Sequence, residues 1–180
     1  MDRGSRSGDA TLTEYTRPAT WDDVKTLARF LEEAGVEYAL VGGYAIAAHG
    51  FNRFSEDIDI LVNPAPENSR RWIIALSRLP DGAAAELAEE QDVFAADKLY
   101  AIRINDEFTV DVMPAVAGLR WDELQQYVIS TRIDDVTIKL LDLKGLLKTK
   151  QGIRPKDQMD AAVLRAALTE LGDLDPDSRE

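Results

Sequence analysis

The chain has 180 residues, 45% of them apolar, no cysteine, one histidine and a formal net charge of −12. That length fits one domain or one domain with a small helical appendage. The charge argues against a broad basic face for nucleic acid, and the composition excludes disulfides, thiolate metal sites and a multi-histidine zinc site.

Residues 1–18 are rich in Gly, Ser, Thr and charge and end at Pro18, which predicts a flexible leader. Thr20 and Asp23 have capping-box spacing. Val24, Leu27, Ala28 and Leu31 follow at helical intervals, and Gly35 stops the helix. "EYALV" predicts a buried strand, "GYAIAAHG" a short helix between glycines, and "DIDILV" a second strand. "PENSRRWIIALSRL" has the pattern of an amphipathic helix, and residues 83–92 are expected to be helical. "KLYAIRI" and "EFTVDVM" predict two strands joined at Asn105-Asp106 as a hairpin. "WDELQQYV" predicts a short helix and "VTIKLL" a strand or extended piece. "DLKGLLKTK" and "KDQMDAAVLRAALTEL" predict closing helices, followed by an acidic tail over 172–180.

This order predicts an α/β (α+β) architecture, a small mixed sheet flanked by helices. The expected division is a core over 19–140 and a C-terminal helical segment over 141–171. No apolar run is long enough to span a bilayer, and the first residues lack the apolar core of a signal peptide, so a soluble cytoplasmic protein is expected. No G-x-S-x-G accompanies His49, so a histidine triad is not indicated.

The chemistry concentrates in "DIDILV". Side chains alternate along a strand, so Asp57, Asp59 and Leu61 share one face, while Ile58, Ile60 and Val62 form an apolar face for the core. The two aspartates are about 6.6 Å apart at Cα, from a rise of about 3.3 Å per residue, and their carboxylates can converge. Like charges that close resist ionisation, and a divalent cation removes the conflict. Oxygen-only ligands suit Mg²⁺ or Mn²⁺. Asp111 is a single acid in the apolar strand "EFTVDVM". If the hairpin lies beside residues 57–62, it becomes a third carboxylate. Three carboxylates can hold two metals for in-line attack on phosphorus. The bland alternative is solvated acids on an exposed strand.

Gly42-Gly43 follows a strand and precedes a helix, so its backbone can approach a phosphate closely; a plain tight turn fits equally well. The pair fits neither a Rossmann nor a Walker motif. Six basic residues, Lys139, Lys144, Lys148, Lys150, Arg154 and Lys156, lie within 139–156 against one acid, Asp142. They form either a clamp for a polyanion or a solvated helical face.

Gly42-Gly43, thirteen residues, then Asp57-Ile58-Asp59-Ile60 resembles the signature of the DNA polymerase β-like nucleotidyltransferase superfamily. "GFNRFSEDIDI" resembles its R-x-[ST]-x-D-h-D version, common in minimal nucleotidyltransferases, including AbiEii-like toxins of toxin–antitoxin systems. "KTKQGIRPKDQMD" resembles the K…R-x-K-D…D segment of that branch. The resemblance covers residues 38–113 well. It departs in one place: Gly-Gly stands where many members have Gly-Ser, whose hydroxyl often touches a phosphate.

The resemblance implies a nucleotidyltransferase fold with C-terminal helices. It implies Asp57, Asp59 and Asp111 as catalytic and metal-binding residues, with Mg²⁺ or Mn²⁺ as cofactor. It implies nucleotide contacts from Gly42, Gly43, Arg53, Ser55, one of Lys148 and Lys150, and Asp157. Arg53 alternatively pairs with an acid, and Asp157 either orients the lysine or caps the last helix. The partners implied are an NTP, an acceptor (an RNA 3′ end, a protein hydroxyl or a small molecule such as an antibiotic) and an antitoxin. A non-catalytic nucleotide- or partner-binding module is the rival reading.

Overall fold

The computed structural model describes residues 16–94, 98–150, 152 and 154–172. The expected leader therefore falls outside the described residues up to position 15, as does the acidic tail from 173 onward.

Helix α1 spans Trp21–Glu33. Thr20 and Asp23 close the expected capping box at its start, and Val24, Leu27, Ala28 and Leu31 are its buried stripe. Gly35, at φ +70°, turns the chain into strand β1, Tyr38–Val41. Helix α2, Gly42–Ala48, follows with no intervening loop. Strand β2 is Ile58–Val62 and helix α3 is Pro66–Leu76. The hairpin strands are β3, Ile102–Asn105, and β4, Thr109–Met113. Two short strands, β5 (Ala115–Val116) and β6 (Leu119–Arg120), lead into helix α4, Trp121–Leu124. Strands β7, Val128–Ile133, and β8, Val136–Leu141, precede helix α5, Leu143–Lys148, and helix α6, Pro155–Glu170.

Six strands form one mixed sheet in the order β3-β4-β2-β1-β8-β7. Strand β2 runs antiparallel to β1 and parallel to β4, and β1 runs parallel to β8. Helix α1 packs on β8 and against α3, while α2 contacts β1, β2 and α5, and α5 packs against α6. The core includes Leu27, Leu31, Tyr38, Leu40, Ile58, Ile60 and Trp72, each nearly or fully inaccessible.

Three local expectations are corrected, and one strand was not expected. Residues 83–92 form only a 3₁₀ segment, Ala83–Leu87, whose start is held by the buried Asp106 carboxylate through the backbone N–H groups of Asp81 and Ala83. The strand expected over "KLYAIRI" begins only at Ile102. "VISTRI" is a six-residue strand that the pattern did not announce; it lies at the sheet edge with Ser130 and Arg132 exposed, so its hydrophobic alternation is weak. Leu61, on the same face as Asp59, is fully buried.

The hairpin forms, but its turn is residues 106–108 and not Asn105-Asp106: Asn105 is the last ladder residue, opposite Thr109, and their side chains are hydrogen-bonded at 2.9 Å. Arg17 ties the start of the described chain to it, donating to Glu107 at 3.1 Å as well as to Asp23 at 2.6 and 2.9 Å. No helix among the described residues is long and apolar enough to cross a membrane.

Candidate active site

Strand register builds the centre of the site. Asp59 on β2 stands opposite Asp111 on the parallel strand β4, and opposite Val41 on β1. Asp57 lies just before β2, two residues from Asp59 and on the same side by strand alternation. The three acids therefore gather at one end of the central strands. Asp111 and Asp57 are partly accessible, with side chains 15% and 37% exposed.

The electrostatics are those of crowded carboxylates. Burial pushes the Asp59 carboxyl up to about 7; the neighbouring Asp111 charge, a hydrogen bond with it, and Asp57 add to the rise, and Lys150 opposes it. Asp57 is also raised, by burial first, against the lowering effect of Arg103.

Gly42 follows Val41, so the chain must turn directly over Asp59. It does so at φ +71°, and a Cβ there would overlap the Asp59 carboxylate. Gly43 is equally constrained: a Cβ would come within 2.6 Å of the Ser55 Cβ. The two glycines thus make room for the acid and for Ser55. Ser55 in turn donates its hydroxyl proton to the Asp57 carbonyl at 2.8 Å, fixing the bend that leads into β2.

Helix α6 closes the other side. Asp157 and Asp160 are both buried and face Lys150, with Nζ at 3.6 Å from Asp157 Oδ1 and 3.2 Å from Asp160 Oδ2. Arg53 Nε donates to Asp160 Oδ1 at 3.3 Å, and its Nη1 to the Phe54 carbonyl at 2.7 Å. Asp157 also accepts from Arg154 Nε at 3.2 Å. Asp157 sits inside the first turn, with Arg154 at the N-cap and Pro155 at the first helical position, so its side chain orients bases and does not cap.

These groups line one open cleft of about 460 Å³. Its walls hold Gly42, Gly43, Arg53, Ser55, Asp57, Asp59, Asp111, Lys150 and Asp157, nine of the ten positions singled out in the sequence. Lys148 is the exception: its ammonium lies 5.7 Å over the Tyr127 ring, away from the cleft. Nor do the six basic residues of 139–156 form one patch. Lys150, Arg154 and Lys156 reach the cleft, while Lys139 pairs with Glu32 on α1 at 3.6 Å.

Sequence reasoning missed two participants, Phe54 and Arg103, and gave no role to Asp160, the last acid of the K…R-x-K-D…D segment, which lies three residues on from Asp157 and so on the same helical face. Phe54 lines the cleft with its ring 72% exposed. Arg103 faces Asp111 across β3 and β4, a pairing legible only from the hairpin register. His49 is structural, its Nε2 lying 3.0 Å from the Leu141 carbonyl as donor.

Among the described residues, no three acidic or histidine side chains stand close enough to form a ready-made metal cage. The donor set nevertheless suits a hard divalent cation: three carboxylates at one end of a sheet, one of them half-buried and raised by its acidic neighbours as well as by burial.

In comparisons with known proteins, no curated sequence is significantly similar to the chain. Among solved structures, the lincosamide antibiotic adenylyltransferase LnuA, determined with lincomycin bound, is similar over 83% of this chain and 98% of its own, with a TM-score of 0.55 and 14% identity. A nucleotidyltransferase from Thermotoga maritima, described as putative, matches over 83% of this chain and 92% of its own, with a TM-score of 0.54 and 15% identity. These likenesses establish the nucleotidyltransferase fold. The family model of the nucleotidyl transferase AbiEii toxin of type IV toxin–antitoxin systems matches residues 25–164, a span that takes in the glycine pair, all three acids and the lysine–aspartate cluster. The chain belongs to the AbiEii nucleotidyltransferase toxin family.

Proposed function

We propose that the protein transfers a nucleoside monophosphate from an NTP to an acceptor hydroxyl, as the toxin of a toxin–antitoxin pair whose antitoxin neutralises it. The observation that carries the reading is the cleft, which joins three acids on one wall to Lys150, Arg154 and Lys156 on the other. A nucleoside triphosphate needs both. Acids collect a hard cation beside the α-phosphate, and basic groups receive the phosphate charge that remains.

Asp57, Asp59 and Asp111 would hold Mg²⁺ or Mn²⁺, which supplies charge neutralisation and polarisation of the phosphate oxygens. Lys150, held between Asp157 and Asp160, meets the triphosphate in a preset orientation. Arg53 is steadied by Asp160, and Ser55 and the Gly42-Gly43 backbone border the same space. The acceptor oxygen forms a bond to the α-phosphorus, the bond from that phosphorus to the bridging oxygen breaks, and pyrophosphate departs. The hydroxyl proton passes to the carboxylates on the acceptor side, Asp111 or Asp59, and then to solvent.

The acceptor assigned is an RNA 3′ end or a protein hydroxyl, on the strength of the toxin family. A cationic small molecule is the second reading, favoured by the net charge of −12 and by the shared fold of LnuA. One experiment separates these: incubation with each α-labelled NTP, Mg²⁺, total cell RNA, cell lysate and an aminoglycoside or lincosamide panel. Label in an RNA or protein band supports the toxin acceptor, label in a drug supports the second reading, and no pyrophosphate release with any combination rejects transfer.

A further inference from the structure

The acids of the site are not left to themselves. Arg103 stands opposite Asp111 in the β3–β4 register. Its Nε donates to Asp111 Oδ1 at 2.9 Å and its Nη2 to Asp111 Oδ2 at 3.1 Å, a two-pronged grip on both carboxylate oxygens. The same Nη2 reaches Asp57 Oδ2 at 3.4 Å. One side-chain cation thus spans two of the three carboxylates assigned above to a divalent metal. A carboxylate with both oxygens engaged by a guanidinium has fewer lone pairs to offer a hard cation, and the guanidinium repels that cation.

We propose that Arg103 is a resident counter-cation: it holds Asp57 and Asp111 before metal loading, and an incoming divalent ion must displace it. The inference rests on the metal-dependent reading of the site. Two further features support it. Strand β3 is an edge of the sheet, and the Arg103 side chain is 58% exposed, so it can swing away without disturbing the core. It is also an arginine, charged at every working pH, so the competition is set by metal concentration and not by protonation. Arg103 acts here as a positioning residue, through the acids.

A purely structural role and a placeholder role predict opposite signs. If Arg103 only props the acids in place, its removal loosens them and weakens metal binding. If it competes, its removal tightens binding. The test titrates the full chain with Mn²⁺ alone, without nucleotide, by isothermal calorimetry in wild type, Arg103→Met and Arg103→Lys. Arg103→Met is expected to bind Mn²⁺ about fivefold more tightly or better, the scale of one partly screened charge. Arg103→Lys, which keeps the charge, stays near wild type. A second measurement needs no variant: in wild-type protein, the Arg103 Nε–H resonance should lose its protection from water exchange on saturation with diamagnetic Mg²⁺. Equal or weaker Mn²⁺ binding by Arg103→Met, or an Arg103 signal untouched by Mg²⁺, overturns the inference while leaving a metal-dependent transferase standing. Absence of metal binding by both wild type and Arg103→Met overturns the metal-dependent reading and the inference together.

Discussion

Asp59 and Asp111 are partners across two parallel strands, although fifty-one residues separate them in sequence. Burial first, and then the Asp111 carboxylate beside it, pushes the Asp59 carboxyl up to about 7. Asp59→Asn should abolish nucleotide transfer, by about a hundredfold or more, because a neutral amide cannot replace a metal-ligating carboxylate. In chelator at pH 8 its Tm should equal or exceed that of wild type, since the substitution removes a half-buried charge that sits beside two other carboxylates. Near-normal transfer by Asp59→Asn would mean that the acids are misassigned.

Lys150 and Lys148 differ by two positions and have unlike surroundings. Lys150 faces Asp157 and Asp160 in the cleft; Lys148 lies over Tyr127. Lys150→Ala should raise the NTP KM or lower kcat by about tenfold or more, equivalent to about 1.4 kcal/mol. Lys148→Ala should leave both unchanged. Steady-state kinetics on the two variants decide between them, and identical behaviour would remove the clamp.

Gly42→Ala should be costly for two independent reasons, the left-handed backbone at φ +71° and the overlap of the new methyl with Asp59. Strain of the first kind is about 1–2 kcal/mol. A fall in stability of about 1–3 kcal/mol by urea denaturation is expected, with the slope m unchanged. Wild-type stability in Gly42→Ala would contradict the tight turn.

Asp23 sets a pH dependence far from the site. Burial raises its pKa, but hydrogen bonds from Arg17 and Thr20 outweigh that and hold the carboxyl below its ordinary value. A lowered folded-state pKa stabilises above the unfolded value of about 4, and that stabilisation disappears as pH falls through the folded pKa. Asp23→Asn should therefore be less stable than wild type at pH 6, by about 1 kcal/mol given the partial exposure of Arg17. The gap should narrow as pH drops below about 4. Thermal melts at a series of pH values provide the check, and a gap that widens toward acid would be the wrong sign.

Expression of the intact protein in a bacterial host should slow growth, and Asp57→Ala and Asp59→Ala should restore it. Blocking an RNA end or a protein hydroxyl stops translation, whereas tagging a drug spares the cell. Healthy growth at high levels of an enzyme active in vitro would exclude the toxin role and keep the transferase.

The site was legible where local pattern and chemistry coincide. Two acids in an apolar strand, a glycine pair at a fixed distance before them and a basic run further on are all one-dimensional features, and the cleft gathers most of them. What pattern could not supply was pairing. The choice between Lys148 and Lys150 depends on where α5 ends and on which side α6 docks. The role of Asp157 was open for the same reason. Arg103 was hidden because cross-strand register, not spacing, brings it to Asp111. In the fold, the miss at "VISTRI" reflects an edge strand with no buried residue, in which Ile129 is exposed along with Ser130 and Arg132, and which is held by its pairing with β8.

The distribution of the site along the chain bears on synthesis. The glycine pair and the first acids lie within residues 42–59, Arg103 and Asp111 near the middle, and Lys150 with its aspartates beyond 149. A growing polypeptide emerging from the ribosome carries the first cluster long before the last. Until Asp157 and Asp160 have left the exit tunnel, Lys150 lacks its two acidic anchors and the second wall of the cleft is incomplete. On the toxin reading proposed above, the nascent chain would lack a complete cleft, and that interval is time in which a neutralising partner could already bind.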